Sequence, residues 1–154
     1  MVTSYNGEVL RGNLTERAIK VEPLDMDNAV KYIGGRGLGT RILLDEGCAT
    51  VDPLSPENKL IYITGPMTGT AVPTGGRYMV VTKSPLTGMI ACSNSGGVWG
   101  AILKYAGWDA VIVEGKADAP VYLEINDKEV SLHDASDLWG KQSGETEQLL
   151  KERH

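Results

Sequence analysis

The sequence predicts an α+β fold: mixed, largely antiparallel β-sheets with a few short helices. Three observations predict it. Strand-like runs outnumber helix-like ones, and several neighbouring strands are separated by turns of hairpin length. There is also no regular alternation of strand and crossover helix, which argues against a doubly wound sheet.

Taken in order, residues 8–22 (EVLRGNLTERAIKVE) read as a hairpin, with Val9, Ile19 and Val21 as strand formers and Asn13-Leu14-Thr15-Glu16 as the turn. Asp25 or Asp27 is placed to cap a short helix over Asn28–Ile33. The run GGRGLGT then reads as an interruption, with helix resuming over Arg41–Glu46, and Val51–Pro56 is a turn-rich connector. Lys59–Thr64 and Arg77–Thr82 are short buried strands flanking the loop MTGTAVPTGG, and Met89–Ser93 is a third strand. Asn94-Ser95-Gly96-Gly97 leads into the amphipathic helix VWGAILKYAG, closed by Gly107. Asp109–Glu114 is a strand, and Val121–Leu132 a hairpin turning at Asn126-Asp127. The closing SGETEQLLKERH is helical, with Ser143 and Thr146 as candidate caps.

Composition narrows the function classes. The chain has 154 residues, a formal net charge of −5 and 42% hydrophobic content, which fits one globular domain without the basic footprint of a nucleic-acid binder. No apolar run reaches the ~18 residues of a membrane span. The opening MVTSYNGEVLRGNL has no apolar signal core, so the expected location is the cytoplasm. Two cysteines, Cys48 and Cys92, are too few for a disulfide framework or a four-cysteine metal site.

Glycine is the unusual feature. Nineteen of the 154 residues are glycine, against about 7% in an average protein. Eight of them fall between Gly65 and Gly100, and Gly34, Gly35, Gly37 and Gly39 form a second group. Because these groups alternate with apolar strands, they read as backbone that must approach something closely.

Three stretches are candidates for chemistry. At Asn94–Gly97, two glycines at a helix start would let a phosphate meet bare amides; alternatively Asn94 or Ser95 simply caps the helix. At Pro73-Thr74-Gly75-Gly76-Arg77, an arginine following two glycines can present a fixed guanidinium, or else reach out to solvent. Gly34–Gly39 fits neither a dinucleotide fingerprint nor a P-loop and reads first as a hinge or tight packing turn, with Arg36 a weak candidate. Lys83 reads as a surface charge, and Asp109 and Glu114 as solvated or paired. Cys92 reads as a structural thiol, His133 and His154 as exposed, and Trp99, Trp108 and Trp139 as core or rim packing. The residues therefore describe a domain that holds an anionic, phosphorylated ligand and offers no convincing general acid or nucleophile of its own. Any redox chemistry would come with the ligand.

Several segments occur together in a recognisable order: GGRGLGTRILLDE (Gly34–Glu46), NKLIYITGPMTGT (Asn58–Thr70), PTGGRYMVVTKSPLTG (Pro73–Gly88), SNSGG (Ser93–Gly97), LKYAGWDAVIVEGKA (Leu103–Ala117) and DASDLWGK (Asp134–Lys141). Over essentially the whole chain they resemble the N-terminal domain of the tungsten-containing aldehyde:ferredoxin oxidoreductase family. The resemblance implies a sheet-built base under a tungsten bis-pterin. Two helical domains, absent from residues 1–154, would supply the cysteines of a [4Fe–4S] cluster. It also implies oxidation of small aldehydes to carboxylic acids with ferredoxin as electron acceptor. Carried over residue by residue, Arg77 would contact a pterin, and Asn94 and Gly96 would meet its phosphate region. The backbone carbonyl of Asn94 would help hold a magnesium ion, and Gly75, Gly76, Ser95 and Gly97 would be neighbours.

The chain departs from the family pattern in length, in lacking the cluster cysteines and in carrying Gly12 where valine is commoner. The expectation is a fragment of a longer enzyme, inactive alone and able to self-associate through uncovered apolar surface. The competing expectation is a non-catalytic pterin- or phosphate-binding module, or one subunit of a split enzyme.

Overall fold

In the computed structural model, which describes residues 4–154, the chain opens on an antiparallel hairpin, β1 (Glu8–Asn13) and β2 (Ala18–Pro23). Met1–Thr3, at the head of the stretch scanned for a signal core, lie outside the described residues. The turn falls where the sequence places it: the Asn13 side chain accepts the Glu16 amide at 3.0 Å, and Arg17 adopts a φ of 51° to redirect the chain. Asp25 caps α1 (Met26–Tyr32) by accepting the Asn28 amide at 3.0 Å, so the helix begins two residues before the expected Asn28.

The run GGRGLGT is not an interruption. Helix α2 (Gly35–Asp45) starts inside it and takes in Gly35, Gly37 and Gly39. Each glycine costs a helix about 1 kcal/mol, and packing overrides that cost here. A Cβ on Gly39 would stand 2.9 Å from Val81 Cγ2 and 3.1 Å from Ile63 Cγ2, so glycine lets the helix lie directly on the strands beneath it. Those strands are β3 (Lys59–Ile63) and β4 (Tyr78–Lys83), followed by β5 (Ile90–Ser95), α3 (Trp99–Tyr105) and β6 (Ala110–Glu114).

Six strands form one sheet in the order β2-β1-β6-β3-β4-β5. The β1–β6 pair is parallel and the other pairs are antiparallel, as the α+β reading with a mixed sheet expects. A separate hairpin, β7 (Val121–Asn126) and β8 (Glu129–Asp134), turns at Asp127 with a φ of 51°.

Alternation along the strands divides the core between two faces. Val9, Ile61, Ile63, Val81, Ala110 and Ile112 point to the face covered by α1 and α2, where they meet Leu24, Ala29, Leu38, Leu43 and Cys48. Leu10 and Val111 point the other way, toward Leu103, Ala106 and Trp108. The β7–β8 hairpin adds Leu123, Ile125 and Val130 to this second face. Its turn is pinned to the core: Trp108 Nε1 donates to the Asp127 carbonyl at 2.9 Å, and Lys128 Nζ sits 3.9 Å from the centre of the Trp108 ring. Among the described residues no helix is long and apolar enough to cross a membrane.

One end of the sheet carries an ion network. Arg11 meets Glu22 at 2.9 Å, Glu46 at 2.7 Å and Glu114 at 2.9 Å, and Lys59 lies 3.4 Å from the last two. Burial works against the Arg11 charge, but hydrogen bonds to Glu46 and Glu22 outweigh it and raise the pKa above the ordinary arginine value. The Arg11→Ala variant would leave three carboxylates facing one lysine. Its expected cost is about 2–3 kcal/mol, discounted for partial solvent access and measured as a lower urea midpoint.

The structure revises other sequence-based expectations. Helix α4 (Ser143–Arg153) begins after Gln142 with no side-chain cap, so neither Ser143 nor Thr146 plays that part. Trp139 is 78% exposed and packs in no core, whereas Trp108 is fully buried. Lys83 is not a free surface charge: it donates to the carbonyls of Ala49 and Val51 at 2.9 and 2.8 Å and ties down the loop after α2. His154 is exposed as expected, whereas His133 is half-buried; both contact Glu124, at 3.2 and 2.6 Å.

Candidate functional site

The antiparallel registers bring the glycine groups to one end of the large sheet. Glu22, Val9, Ala110, Ile63, Met79 and Asn94 form one row across it. Beyond that row lie the end of β3, the start of β4, the end of β5 and the start of α2. Segments far apart in sequence (34–36, 65–68, 75–78 and 94–97) thus share a single rim.

Local chemistry builds this rim. Gly34 and Gly65 lie backbone to backbone, since a Cβ on Gly34 would come within 3.0 Å of both Gly65 Cα and the Thr64 carbonyl oxygen. The Gly35 amide donates to the Thr64 carbonyl at 2.9 Å, tying the start of α2 to the end of β3. Thr68, which the sequence reading did not single out, is the buried organiser. Its Oγ1 accepts the Gly65 amide at 3.2 Å and donates to the Arg77 carbonyl at 3.0 Å. A threonine three residues after glycine in Gly65-Pro66-Met67-Thr68 was the available signal.

Across the rim, a Cβ on Gly76 would stand 2.6 Å from the Gly97 carbonyl oxygen, and one on Gly100 would stand 3.0 Å from that of Gly76. The two glycine pairs singled out in the sequence are therefore in backbone contact. Trp99 and Tyr78 fix that approach with ring centroids 4.4 Å apart, and Tyr62 joins them at 5.7 Å from Trp99. Burial pushes the Tyr62 hydroxyl pKa up. Gly75 is equally constrained, with Met67 and Val72 carbonyl oxygens 2.8 and 3.1 Å from a would-be Cβ.

Arg77 and Asn94 come together: Arg77 Nη1 donates to Asn94 Oδ1 at 2.9 Å, and both side chains are exposed at the rim. The helix-start reading of Asn94 and Ser95 is corrected. They are the last residues of β5, paired with Met79 and Tyr78, and α3 begins only at Trp99 with Val98 as its cap residue. Gly96 and Gly97, just past the end of β5, offer bare backbone. Neither donates its amide to a backbone carbonyl among the described residues, and a Cβ on either would meet open space.

Other groups are placed elsewhere. Asp109 is buried and pairs with Lys104 at 2.5 Å, and Glu114 belongs to the Arg11 network. Cys48 is buried, which raises its thiol pKa, and Cys92 packs against the first core face. No group of three or more His, Cys, Asp or Glu suited to a metal ion occurs among the described residues. A cleft of about 1030 Å3 lies between β7 and α4, away from the rim. Its lining Lys151 and Glu147 pair with each other at 2.6 Å.

Fold and rim define a sheet domain that presents glycine backbone and a guanidinium beyond its strand ends. The chain belongs to the aldehyde ferredoxin oxidoreductase N-terminal domain family, whose model matches residues 9–154. It is 60% identical over 148 residues to a tungsten-containing aldehyde ferredoxin oxidoreductase of Pyrococcus horikoshii, covering 96% of this chain and 24% of the relative. An aliphatic sulfonate oxidoreductase, WOR-like subunit, of Pyrococcus furiosus is 42% identical over 155 residues, covering 98% of this chain and 24% of the relative. Among solved structures, the active site complex BamBC of benzoyl coenzyme A reductase, in complex with 1,5-dienoyl-CoA, superposes with a TM-score of 0.95 at 40% identity. That match covers 97% of this chain and 23% of that one. The chain thus spans about a quarter of the length of the relatives it matches.

Proposed function

We propose that this domain is the cofactor-binding base of an oxidoreductase that converts aldehydes to carboxylic acids, and that its glycine rim grips the phosphate-bearing part of a tungsten bis-pterin. The observation that carries the reading is the Arg77–Asn94 hydrogen bond of 2.9 Å, set beside the bare amides of Gly96 and Gly97. The tungsten-containing relatives support the choice of cofactor.

The residues present fit such a group. A guanidinium and backbone amides are donors that match phosphate oxygens, and charge-assisted contacts of this kind are the strong ones. Asn94 Oδ1 accepts from Arg77 Nη1 at 2.9 Å and orients the guanidinium along the rim. Gly96 and Gly97 leave open the space that a side chain would fill. The backbone carbonyl of Asn94 is our candidate for a magnesium ligand, with Gly75, Gly76 and Ser95 shaping the surrounding backbone. When bound, the tungsten bis-pterin would supply the two-electron chemistry and pass electrons through a [4Fe–4S] cluster to ferredoxin. The cluster does not fit here: two separated cysteines, one of them buried, fall short of four thiolates. Its ligands belong to polypeptide of the kind that the longer relatives carry. The name of the sulfonate oxidoreductase relative, a subunit, favours an assembly in which further chains take part.

Titration of 15N-labelled protein with inorganic pyrophosphate tests the rim. The Gly96 and Gly97 amides and the Arg77 Nε–Hε signal should shift together, and Arg77→Gln should weaken binding roughly tenfold. Silence of the Gly96 and Gly97 amides at saturating pyrophosphate would overturn the reading.

A further inference from the structure

We infer that Arg36 is a second anion contact of the same rim, acting with Arg77 on the phosphate oxygens of the bound group. This rests on the reading of the rim given above. Both arginines line one cleft of about 300 Å3, whose other walls include Gly34, Gly35, Gly65 and Tyr78. The glycines on its walls bring backbone close. Gly34 touches Gly65, and a Cβ on Gly35 would stand 3.4 Å from Met79 Cγ. This contact sets the start of α2 directly beside the start of β4, which follows Arg77.

Charge sharpens the argument. The chain is acidic overall, and its other well-placed arginines are neutralised: Arg11 by three glutamates, and Arg41 by Asp45 at 2.7 Å. Arg36 is exposed, and no acidic residue lies in the first turn of α2. Among the described residues it forms no ion pair, and Arg77 bonds only the neutral amide of Asn94. Both arginines stand on one small cleft whose walls carry no carboxylate, and an oxyanion held there would relieve the repulsion between their charges. The planar fork of each can take two oxygens, so the pair suits a phosphate better than a neutral ring.

The test uses the same labelled chain with two probes, inorganic pyrophosphate and a neutral pterin lacking phosphate. With pyrophosphate, the Nε–Hε signals of Arg36 and Arg77 should shift along one binding curve. Arg36→Gln should weaken that binding about tenfold, and Arg36→Lys should restore part of it. The neutral pterin should leave the Arg36 signal unmoved. If Arg77, Gly96 and Gly97 respond to pyrophosphate while Arg36 does not, this inference fails and the rim stands. If none responds, both fail. A shift of Arg36 with the neutral pterin alone would assign it to the ring and overturn the phosphate role.

Discussion

Replacing Lys104 with alanine is expected to cost this domain about 3–5 kcal/mol, the largest stability loss we foresee from one surface-remote substitution. Lys104 and Asp109 are among its few buried charged residues, with side chains 7% and 4% exposed. Their 2.5 Å contact is embedded in further bonds: Lys104 Nζ donates to the Ser4 carbonyl at 2.9 Å, and Asp109 Oδ2 accepts the Gly7 amide at 2.7 Å. The Asn6 side chain completes the join by donating to the Lys104 carbonyl at 2.7 Å. The pair thus fastens the segment before β1 to α3 and to the start of β6. Without the ammonium group, Asp109 would keep one amide donor and face an apolar interior, where an unpaired carboxylate is costly. Thermal unfolding should show a drop of roughly 10 °C for a chain of this size. Lys104→Met combined with Asp109→Leu should recover only part of that loss: neither charge is then left unpaired, but the Gly7 amide and the Ser4 carbonyl lose their side-chain partners. A midpoint for Lys104→Ala within 2–3 °C of the parent, about 1 kcal/mol, would show that water reaches the carboxylate.

The second large effect is expected at Gly76. Alanine there puts a methyl group 2.6 Å from the Gly97 carbonyl oxygen, a backbone atom that cannot swing away. The two glycine loops must part, and Trp99 must slide on Tyr78. We expect about 3 kcal/mol of destabilisation, together with at least a tenfold loss of pyrophosphate affinity. Gly96→Ala provides the contrast. Its methyl group meets nothing within 4 Å, so stability should stay within about 0.5 kcal/mol while pyrophosphate binding weakens. Calorimetric unfolding and pyrophosphate titration of both variants check this. Equal destabilisation of the two would mean that the glycines are structural rather than shaped for a ligand.

The legible and illegible parts of this domain divide along physical lines. Most strands were readable because β-branched residues cluster between turn signals, as at Ile61–Ile63 and Val111–Val113. The Asp25 cap and the Asp127 turn were readable because each is decided within a few residues. Arg77 and the glycines of 75–76 and 96–97 stood out because paired glycines between apolar strands mark backbone under close approach. The start of α2 was not readable. Gly35, Gly37 and Gly39 oppose a helix locally, and only contact with Ile63 and Val81 decides otherwise. The end of β5 was hidden for a similar reason: Asn94 and Ser95 look like caps, yet their pairing with Met79 and Tyr78 wins. Thr68 and the Lys104–Asp109 pair depend on partners brought in by the tertiary fold, which no short window of sequence contains.

The parallel partnership of β1 with β6 joins residues about a hundred positions apart, the pairing with the longest loop to close. The opening hairpin and the β3–β4–β5 meander can each form from neighbours as they leave the ribosome. They stay two separate ribbons until the strand near residue 110 emerges and is threaded between them. Closing so long a loop is slow, and it exposes two unpaired sheet edges in the meantime. A chain lacking β6 would therefore present two open sheet edges able to pair with other chains.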